Sequence, residues 1–508
     1  MYNLAVDIGT TNIKCVLFGP GAVPAAQATR EHGTSYPGSS WAEQRAEEWW
    51  AGTVEAIRQV LSESGVDSAS IAAVAVSGQA PTLLALDTGG KPLAPAIIWM
   101  DRRSADQCER LKREIGAERI YGITGSWPDS FYLLSKLRWF RENRPELADK
   151  TAVFLQSNGY INFMLTGERS VDAGHASLSQ ACDLASGAWS GELLKAAGFD
   201  SSVMPRIAES GDIIGMVTAQ AAALTGLKAG TPVLAGAVDA IGGALEAGIL
   251  GEGASAEMSG TSSTLLMASE QARPSPKLTY IKGAAPRHHI SAGPMSSTGA
   301  ALKWLRDLAY GGTGAGAKAY DLINAEAAMA GEVAAGAGGP SGIIFLPYMA
   351  GERAPIWDSD ARGAFIGLTL DKNRADLARA VMEGAAFALR DNVEAAEAAG
   401  CAIGRLRVVG GHSASETWLK IKASILDREI EAMGDSLGAP GGLAYLLAAR
   451  TGEFGSLAEA VARCLKPGKV TEPVKDWVGR YDELFQRYKA VYAHLKEDFA
   501  ALAAIGWR

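Results

Sequence analysis

Leu4-Ala-Val-Asp-Ile-Gly-Thr-Thr-Asn-Ile-Lys-Cys-Val-Leu-Phe18 is the stretch around which the rest of the chain is read. Two apolar runs, residues 4–6 and 13–18, flank a short polar centre, the pattern of two β-strands joined by a tight turn. Gly9 opens backbone conformations closed to other residues, and Thr10 and Thr11 bring hydroxyl and main-chain N–H groups suited to surrounding a phosphate. Lys14 adds a positive charge, and Asp7, leaving an apolar strand, is placed to hold a hydrated Mg²⁺. Taken alone, the same pattern also describes an ordinary hairpin whose Asp and Gly only form the turn.

A second copy separates the two readings. Ala254-Ser-Ala-Glu-Met-Ser-Gly-Thr-Ser-Ser-Thr-Leu-Leu-Met267 again sets Gly260, Thr261 and Ser262 between two strand-like runs, about half a chain later. A repeated hairpin predicts a duplicated domain closing on one nucleotide.

At 508 residues the chain is too long for one core, so two or three domains are expected. Its 48% hydrophobic and 20% charged residues are those of a globular protein, and a net charge of −8 offers no surface to nucleic acid or anionic membrane. Cys15, Cys108, Cys182, Cys401 and Cys464 are scattered, without a C-x-x-C pair, and read as reduced cytosolic thiols. No basic segment followed by a long apolar run opens the chain, so no signal peptide is expected. The apolar region 230–250 contains Asp239, Glu246 and many glycines and does not qualify as a membrane span. A cytoplasmic location follows.

Farther along, Val54, Ile57, Val60 and Leu61 recur at helical spacing after Trp49 and Trp50. Residues 71–77 form an apolar strand ending at Gly78-Gln79-Ala80-Pro81-Thr82, and 96–99 a second ending at Met100-Asp101-Arg102-Arg103. Ligands gather at the carboxyl ends of strands in open α/β sheets. His175 in Asp-Ala-Gly-His-Ala reads as structural. Residues 232–238 form a buried strand ending at Asp239, where a helix of small residues begins, so Asp239 suits an N-cap. Gly293 to Gly299 leads into a helix carrying Lys303. Residues 311–316 and 331–342 read as mobile Gly/Ala-rich loops. Residues 407–411 form a strand ending in the glycines Gly410 and Gly411, followed by His412, read as incidental, and by Ser415. Residues 466–473 read as a linker, and Tyr481, Leu484, Tyr488, Val491, Leu495, Phe499 and Leu502 as the stripe of a docked terminal helix.

The chain resembles the FGGY family of carbohydrate kinases, within the actin, Hsp70 and hexokinase superfamily, and is most similar to its xylulokinase and gluconokinase branches. The specific match is Gly363-Ala-Phe-Ile-Gly367-Leu368 with Asp376-Leu377 and Ala380-Val-Met-Glu383. Leu346-Pro-Tyr-Met-Ala-Gly-Glu-Arg353 fits a further family motif, with Glu352 and Arg353 read as bracing the interdomain cleft. An earlier signature, with Lys136 and Trp139, is approximate because Leu133 replaces a small residue.

The resemblance implies an α/β fold of two actin-like (ribonuclease H-like) domains with a cleft between them, spanning 1–250 and 251–465, and a linker with docking helix over 466–508. It implies transfer of the γ-phosphoryl group of ATP to a hydroxyl of a small sugar, polyol or sugar acid, with xylulose first and gluconate second. Asp239 is then the catalytic base, with Asp7 and Asp239 toward Mg²⁺. Gly299, Lys303, Gly410, Gly411 and Ser415 lie by the nucleotide with the two turns. Gln79, Ala80, Pro81, Trp99 and Phe131 fall at the sugar site, although Ala80-Pro81 stands where xylulokinases carry Met-His, and Phe131 lacks the hydroxyl of the glycerol kinase Tyr. The expected partner is a small-molecule sugar, and a homodimer is the assembly to test for. An ATP-switched chaperone or filament protein shares the fold and is the rival from another class.

Overall fold

The computed structural model describes residues 1–311, 317–331 and 339–505. Most of the two Gly/Ala-rich stretches, 312–316 and 332–338, therefore lies outside the described residues.

Strands β1 (Tyr2–Ile8) and β2 (Asn12–Gly19) form the opening hairpin, with Asp7 opposite Lys14. Strand β3 (Val23–Glu31) extends it antiparallel, and β4 (Ile71–Gly78) runs parallel to β1 on the other side. Short β5 (Ala237–Val238) joins β4, also parallel. The plan then repeats. Strands β6 (Ser255–Ser259) and β7 (Ser263–Ser269) form the second hairpin, and β8 (His289–Met295) lies antiparallel on β7. Strand β9 (Leu406–Gly410) runs parallel to β6, followed by β10 (Ile430–Ala432). Each sheet has seven strands.

The helices that matter below are α1 (Ala46–Ser64), α2 (Leu133–Asn143), α3 (Ala173–Ser177), α4 (Asp239–Glu246) and α5 (Thr298–Ala309). They continue with α6 (Arg374–Ala398), α7 (Glu416–Leu426), α8 (Ala439–Arg450) and α9 (Lys475–Ala504). Between the sheets α4 and α8 cross in close contact: a Cβ built on Gly442 would fall 1.9 Å from the Gly242 carbonyl oxygen. Only glycine admits that approach, and it seals an apolar core shared by both halves, from Phe18 and Ile241 to Leu266 and Leu443.

Several expectations change. The run 232–238 is two short strands, Pro232–Leu234 and Ala237–Val238, because Gly236 between them takes a φ of 80° and packs on the Val76 carbonyl. Only Ala96–Ile97 of the run 96–99 is strand, paired with Glu43–Gln44, because the Ile98 carbonyl accepts the Asp101 N–H and the Lys136 ammonium instead of continuing a ladder. The stretch read as linker contributes β11 (Lys469–Thr471), antiparallel on β10 at the sheet edge. Helix α9 buries Tyr481, Phe485, Tyr488 and Phe499 against the second half, while Leu502 of the expected stripe is exposed.

Candidate active site

Asp7 and Asp239 meet through β4. Asp7 is level with Ser77, and Val238 with Gly78, so both carboxylates leave the carboxyl ends of parallel strands on either side of one neighbour. Asp7 accepts a hydrogen bond from Ser77 Oγ at 2.7 Å, yet burial raises its pKa above the usual carboxylate range. Asp239 is the first residue of α4 and not its cap, which is Val238; its carboxylate accepts the Ala240 N–H at 2.6 Å. Burial, and then the negative charge of Asp7, push Asp239 up to about 7.

Behind Asp239 lies a pair that the sequence reading set aside. Asp172 caps α3 and holds His175 Nδ1 at 2.5 Å, both side chains fully buried, and the carboxylate also accepts from Asn158 at 2.9 Å. The two neighbouring carboxylates, Asp172 foremost, outweigh burial and raise the His175 pKa. Packing at Gly174 is tight: a Cβ there would fall 3.0 Å from Asp172 Oδ1 and from the Lys282 carbonyl oxygen, and 3.2 Å from Val238. A lone His in a short polar segment carries no periodicity that would reveal this packing.

Of the residues expected to meet the sugar, Gln79 and Trp99 border the first turn. Trp99 is half-buried and donates its indole N–H to Thr10 Oγ1 at 3.0 Å. Gln79 is buried and donates to Gln44 at 2.7 Å, and Gln44 in turn donates to the Thr10 carbonyl at 2.7 Å. The Gln79 side-chain oxygen is left without a partner. Pro81 is buried and Ala80 half-buried, so this loop offers an apolar wall. Phe131 is half-buried under the Arg102 guanidinium, 5.5 Å from the ring centre, and Arg102 pairs with Asp129 at 3.0 Å. Asp101 instead pairs with Arg103 at 2.7 Å and is fully buried. Lys136 explains its place in the approximate signature: buried, its Nζ donates to the carbonyls of Ile98 and Phe131, both at 2.9 Å, fixing the segments that carry Trp99 and Phe131. Burial lowers its pKa to about 7.

In the other half a cavity of about 430 Å³ is lined by Gly260, Thr261, Gly299, Lys303, Gly411 and Ser415, with His412, Trp418, Tyr320 and Asn324 among the remaining walls. Ser415 donates to Asn324 at 2.6 Å and caps α7. Lys303 is exposed and pairs with Asp307 one helical turn on, at 2.8 Å. Gly299 and Gly410 are glycines for the protein's own backbone: built Cβ atoms would fall 2.1 Å from the carbonyl oxygens of Gly260 and Ser259 respectively. Gly411 has open space before it. Ser262, Asp7, Thr10, Thr11 and Lys14 do not line this cavity, nor does Asp239.

Thr11 is exposed in the first turn, while Lys14 reaches across to the second half and donates to the Leu437 carbonyl at 2.9 Å. Glu352 accepts the N–H groups of Ser296 and Arg353, both at 2.7 Å, and Arg353 donates to the Met295 carbonyl at 3.3 Å, so the pair expected to brace the cleft secures the end of β8. Among the described residues no three His, Cys, Asp or Glu side chains gather to hold a metal. Two mutually repelling carboxylates at the carboxyl ends of two parallel strands do fit Mg²⁺, which keeps several waters and takes its other ligands from phosphates.

Residues 2–245 match the N-terminal domain of the FGGY family of carbohydrate kinases, and residues 256–451 its C-terminal domain. The chain is 30% identical over 505 residues to a xylulose kinase of Bacillus subtilis (strain 168), covering 99% of this chain and 98% of the relative. It is 31% identical over 519 residues to a glycerol kinase of Thermococcus gammatolerans, covering 100% and 98%. The crystal structure of a xylulose kinase from Rhodospirillum rubrum matches with a TM-score of 0.91 at 31% identity, over 98% of this chain and 100% of that one.

Proposed function

We propose, since this chain belongs to the FGGY family of carbohydrate kinases, that the alcohol it phosphorylates is a ketopentose such as D-xylulose. The observation that carries the reading is end-to-end likeness, in sequence and in structure, to xylulose kinases. The chain is a phosphotransferase acting on a sugar hydroxyl, with ATP as the donor.

On this reading the nucleotide occupies the cavity bordered by Thr261, Gly299, Lys303, Gly411 and Ser415, and its phosphates extend toward Thr10, Thr11 and Lys14. Gly260, Ser262 and Gly410 shape the turns that present those groups. Asp239 accepts the proton of the attacking hydroxyl, a step contributing roughly 10²–10⁴ in rate and served best by a base whose pKa lies near the working pH. Asp7 and Asp239 would hold Mg²⁺, which neutralises charge on the transferring phosphoryl group when bound. Gln79, Trp99 and Phe131 border the acceptor, with Ala80 and Pro81 as an apolar wall. Closure of 1–250 on 251–465 excludes water, and 466–508 braces the second domain. Five free cysteines suit a reducing cytoplasm.

A second reading, a sugar acid, is favoured by one observation. The Arg102 guanidinium stands over the Phe131 ring, 5.5 Å from its centre, a cation that a substrate carboxylate would meet. ADP release followed over D-xylulose, D-ribulose, glycerol and D-gluconate separates the two. D-xylulose is expected to give the highest kcat/KM, and a tenfold preference for gluconate or glycerol would overturn the assignment.

A further inference from the structure

Beneath the second turn lies a buried charged group that phosphoryl transfer does not call for. Glu257 of β6, His412 in the turn after β9, and Lys422 of α7 are 1%, 4% and 0% exposed. The Lys422 ammonium hydrogen-bonds the Glu257 carboxylate and stands 3.0 Å from His412 Nδ1, while a Glu257 oxygen is 3.3 Å from that same nitrogen. An ammonium only donates, so the closer contact makes Nδ1 an acceptor. The ring proton then sits on Nε2. The other tautomer would aim Nδ1–H into the hydrogens of Lys422 at 3.0 Å, for a longer bond of 3.3 Å to Glu257 Oε1, the oxygen that Lys422 does not take. Burial, and then the Lys422 charge, lower the His412 pKa, which keeps the ring singly protonated at neutral pH. The imidazole is held flat on Trp418, 3.8 Å between ring centres at 27°.

Nε2 is buried and meets no partner other than the Gly260 carbonyl, which it approaches without closing a full hydrogen bond. Facing it is the Gly260 carbonyl. A Cβ built on Gly299 would fall 2.1 Å from that oxygen and 3.2 Å from His412 Nε2, so the missing side chain of Gly299 leaves the room in which the two approach. In a trans peptide the C=O and the following N–H point opposite ways. A Gly260 carbonyl turned in toward His412 therefore turns the Thr261 N–H outward, and Thr261 lines the cavity.

We propose that His412 is a positioning residue for the nucleotide: its Nε2–H holds the Gly260 carbonyl inward and presents the Thr261 N–H to a phosphate oxygen, with Lys422 and Glu257 fixing the tautomer. The ligand so served is a nucleoside di- or triphosphate, and the inference rests on the reading of this cavity as the nucleotide site.

The test is calorimetric titration of the full chain with Mg·ADP. His412→Phe keeps a ring against Trp418 and removes the donor; His412→Gln returns an N–H near the position of Nε2. The Phe variant should bind ADP about tenfold more weakly, the loss expected for one hydrogen bond of about 1.4 kcal/mol. The Gln variant should recover most of that, and KM for ATP should rise in the Phe variant without movement of KM for the sugar. A long-range ¹H–¹⁵N spectrum of the unaltered protein, with residue 412 assigned by its loss in either variant, should show the proton on Nε2. ADP affinity unchanged in His412→Phe, or a proton on Nδ1, would overturn the proposal. Failure of the unaltered chain to bind ADP would overturn it together with the nucleotide reading. ADP binding without phosphorylation of any sugar would remove the substrate assignment and leave this inference supported.

Discussion

Asp239 must be charged to act as a base, in a place that resists charge. Burial and the neighbouring Asp7 carboxylate hold its pKa up at about 7. Proton acceptance then needs the ionised form, so kcat/KM should fall as pH drops below about 7 in a pH–rate profile. The same shift has a stability consequence of opposite sense. A carboxyl group whose folded pKa is raised favours the folded state fully below its unfolded pKa near 4, and that contribution is lost as pH rises through about 7. Asp239→Asn, which keeps an acceptor for the Ala240 N–H, should therefore be more stable than the unaltered, ligand-free chain at pH 8.5, on the order of 2 kcal/mol, with the gain shrinking toward pH 5. Urea unfolding at the two pH values checks this; a gain independent of pH would contradict it. The position of Asp239 between a buried apolar run and a helix of small residues was legible, although that run is two short strands, Pro232–Leu234 and Ala237–Val238. His175 was read as structural, and its burial against Asp172 agrees; its place near Asp239 was not legible, because it comes from α3 packing on β5, about 60 residues apart in the chain.

Among the elements, the two hairpins were the most legible, because each carries two apolar runs around a Gly-Thr turn. What escaped was the reason for the glycines around them. Gly299 was placed near the nucleotide, and the structure sets it where α5 touches the second turn, with the Gly260 carbonyl oxygen in the space of a side chain. Gly299→Ala must push the turn or the helix aside. The expected outcome is a loss of about 1–3 kcal/mol in stability, as for other overpacked contacts, with a Mg·ADP dissociation constant at least tenfold higher. Thermal unfolding and calorimetry report the two separately. The edge strand β11 was read as a linker because Lys466-Pro-Gly and Glu472-Pro frame only three residues, too few to show alternation. Its pairing with β10 is set by a neighbour near residue 430 that local pattern cannot reveal.

Over the whole molecule, the duplicated order of strands, a hairpin, a third antiparallel strand and a fourth parallel to the first, is what brings two phosphate-type turns into one chain. The repeat was legible; the way the halves join was not, since the α4–α8 crossing rests on Gly242 and Gly442, one on each side of the repeat. The terminal helix is tied in by polar contacts that an apolar stripe does not announce. Tyr481 shares its hydroxyl with the fully buried pair Arg379–Glu383, donating to Glu383 at 2.8 Å and accepting from Arg379 at 3.2 Å. Glu383 thus closes the family signature as a structural anchor, and Tyr481→Phe should cost about 1–3 kcal/mol in denaturant unfolding by leaving buried charge less satisfied. In the proposed reaction one carboxylate faces an acceptor alcohol across from a bound triphosphate. The most direct test of this reading is ADP release by the unaltered chain and by Asp239→Asn, each with and without D-xylulose, alongside titration of both with ADP in the absence of Mg²⁺. Release that requires the sugar and falls at least 10²-fold in the variant, with ADP affinity nearly unchanged, is the predicted result. Release indifferent to the sugar, or near-normal turnover in Asp239→Asn, would contradict it.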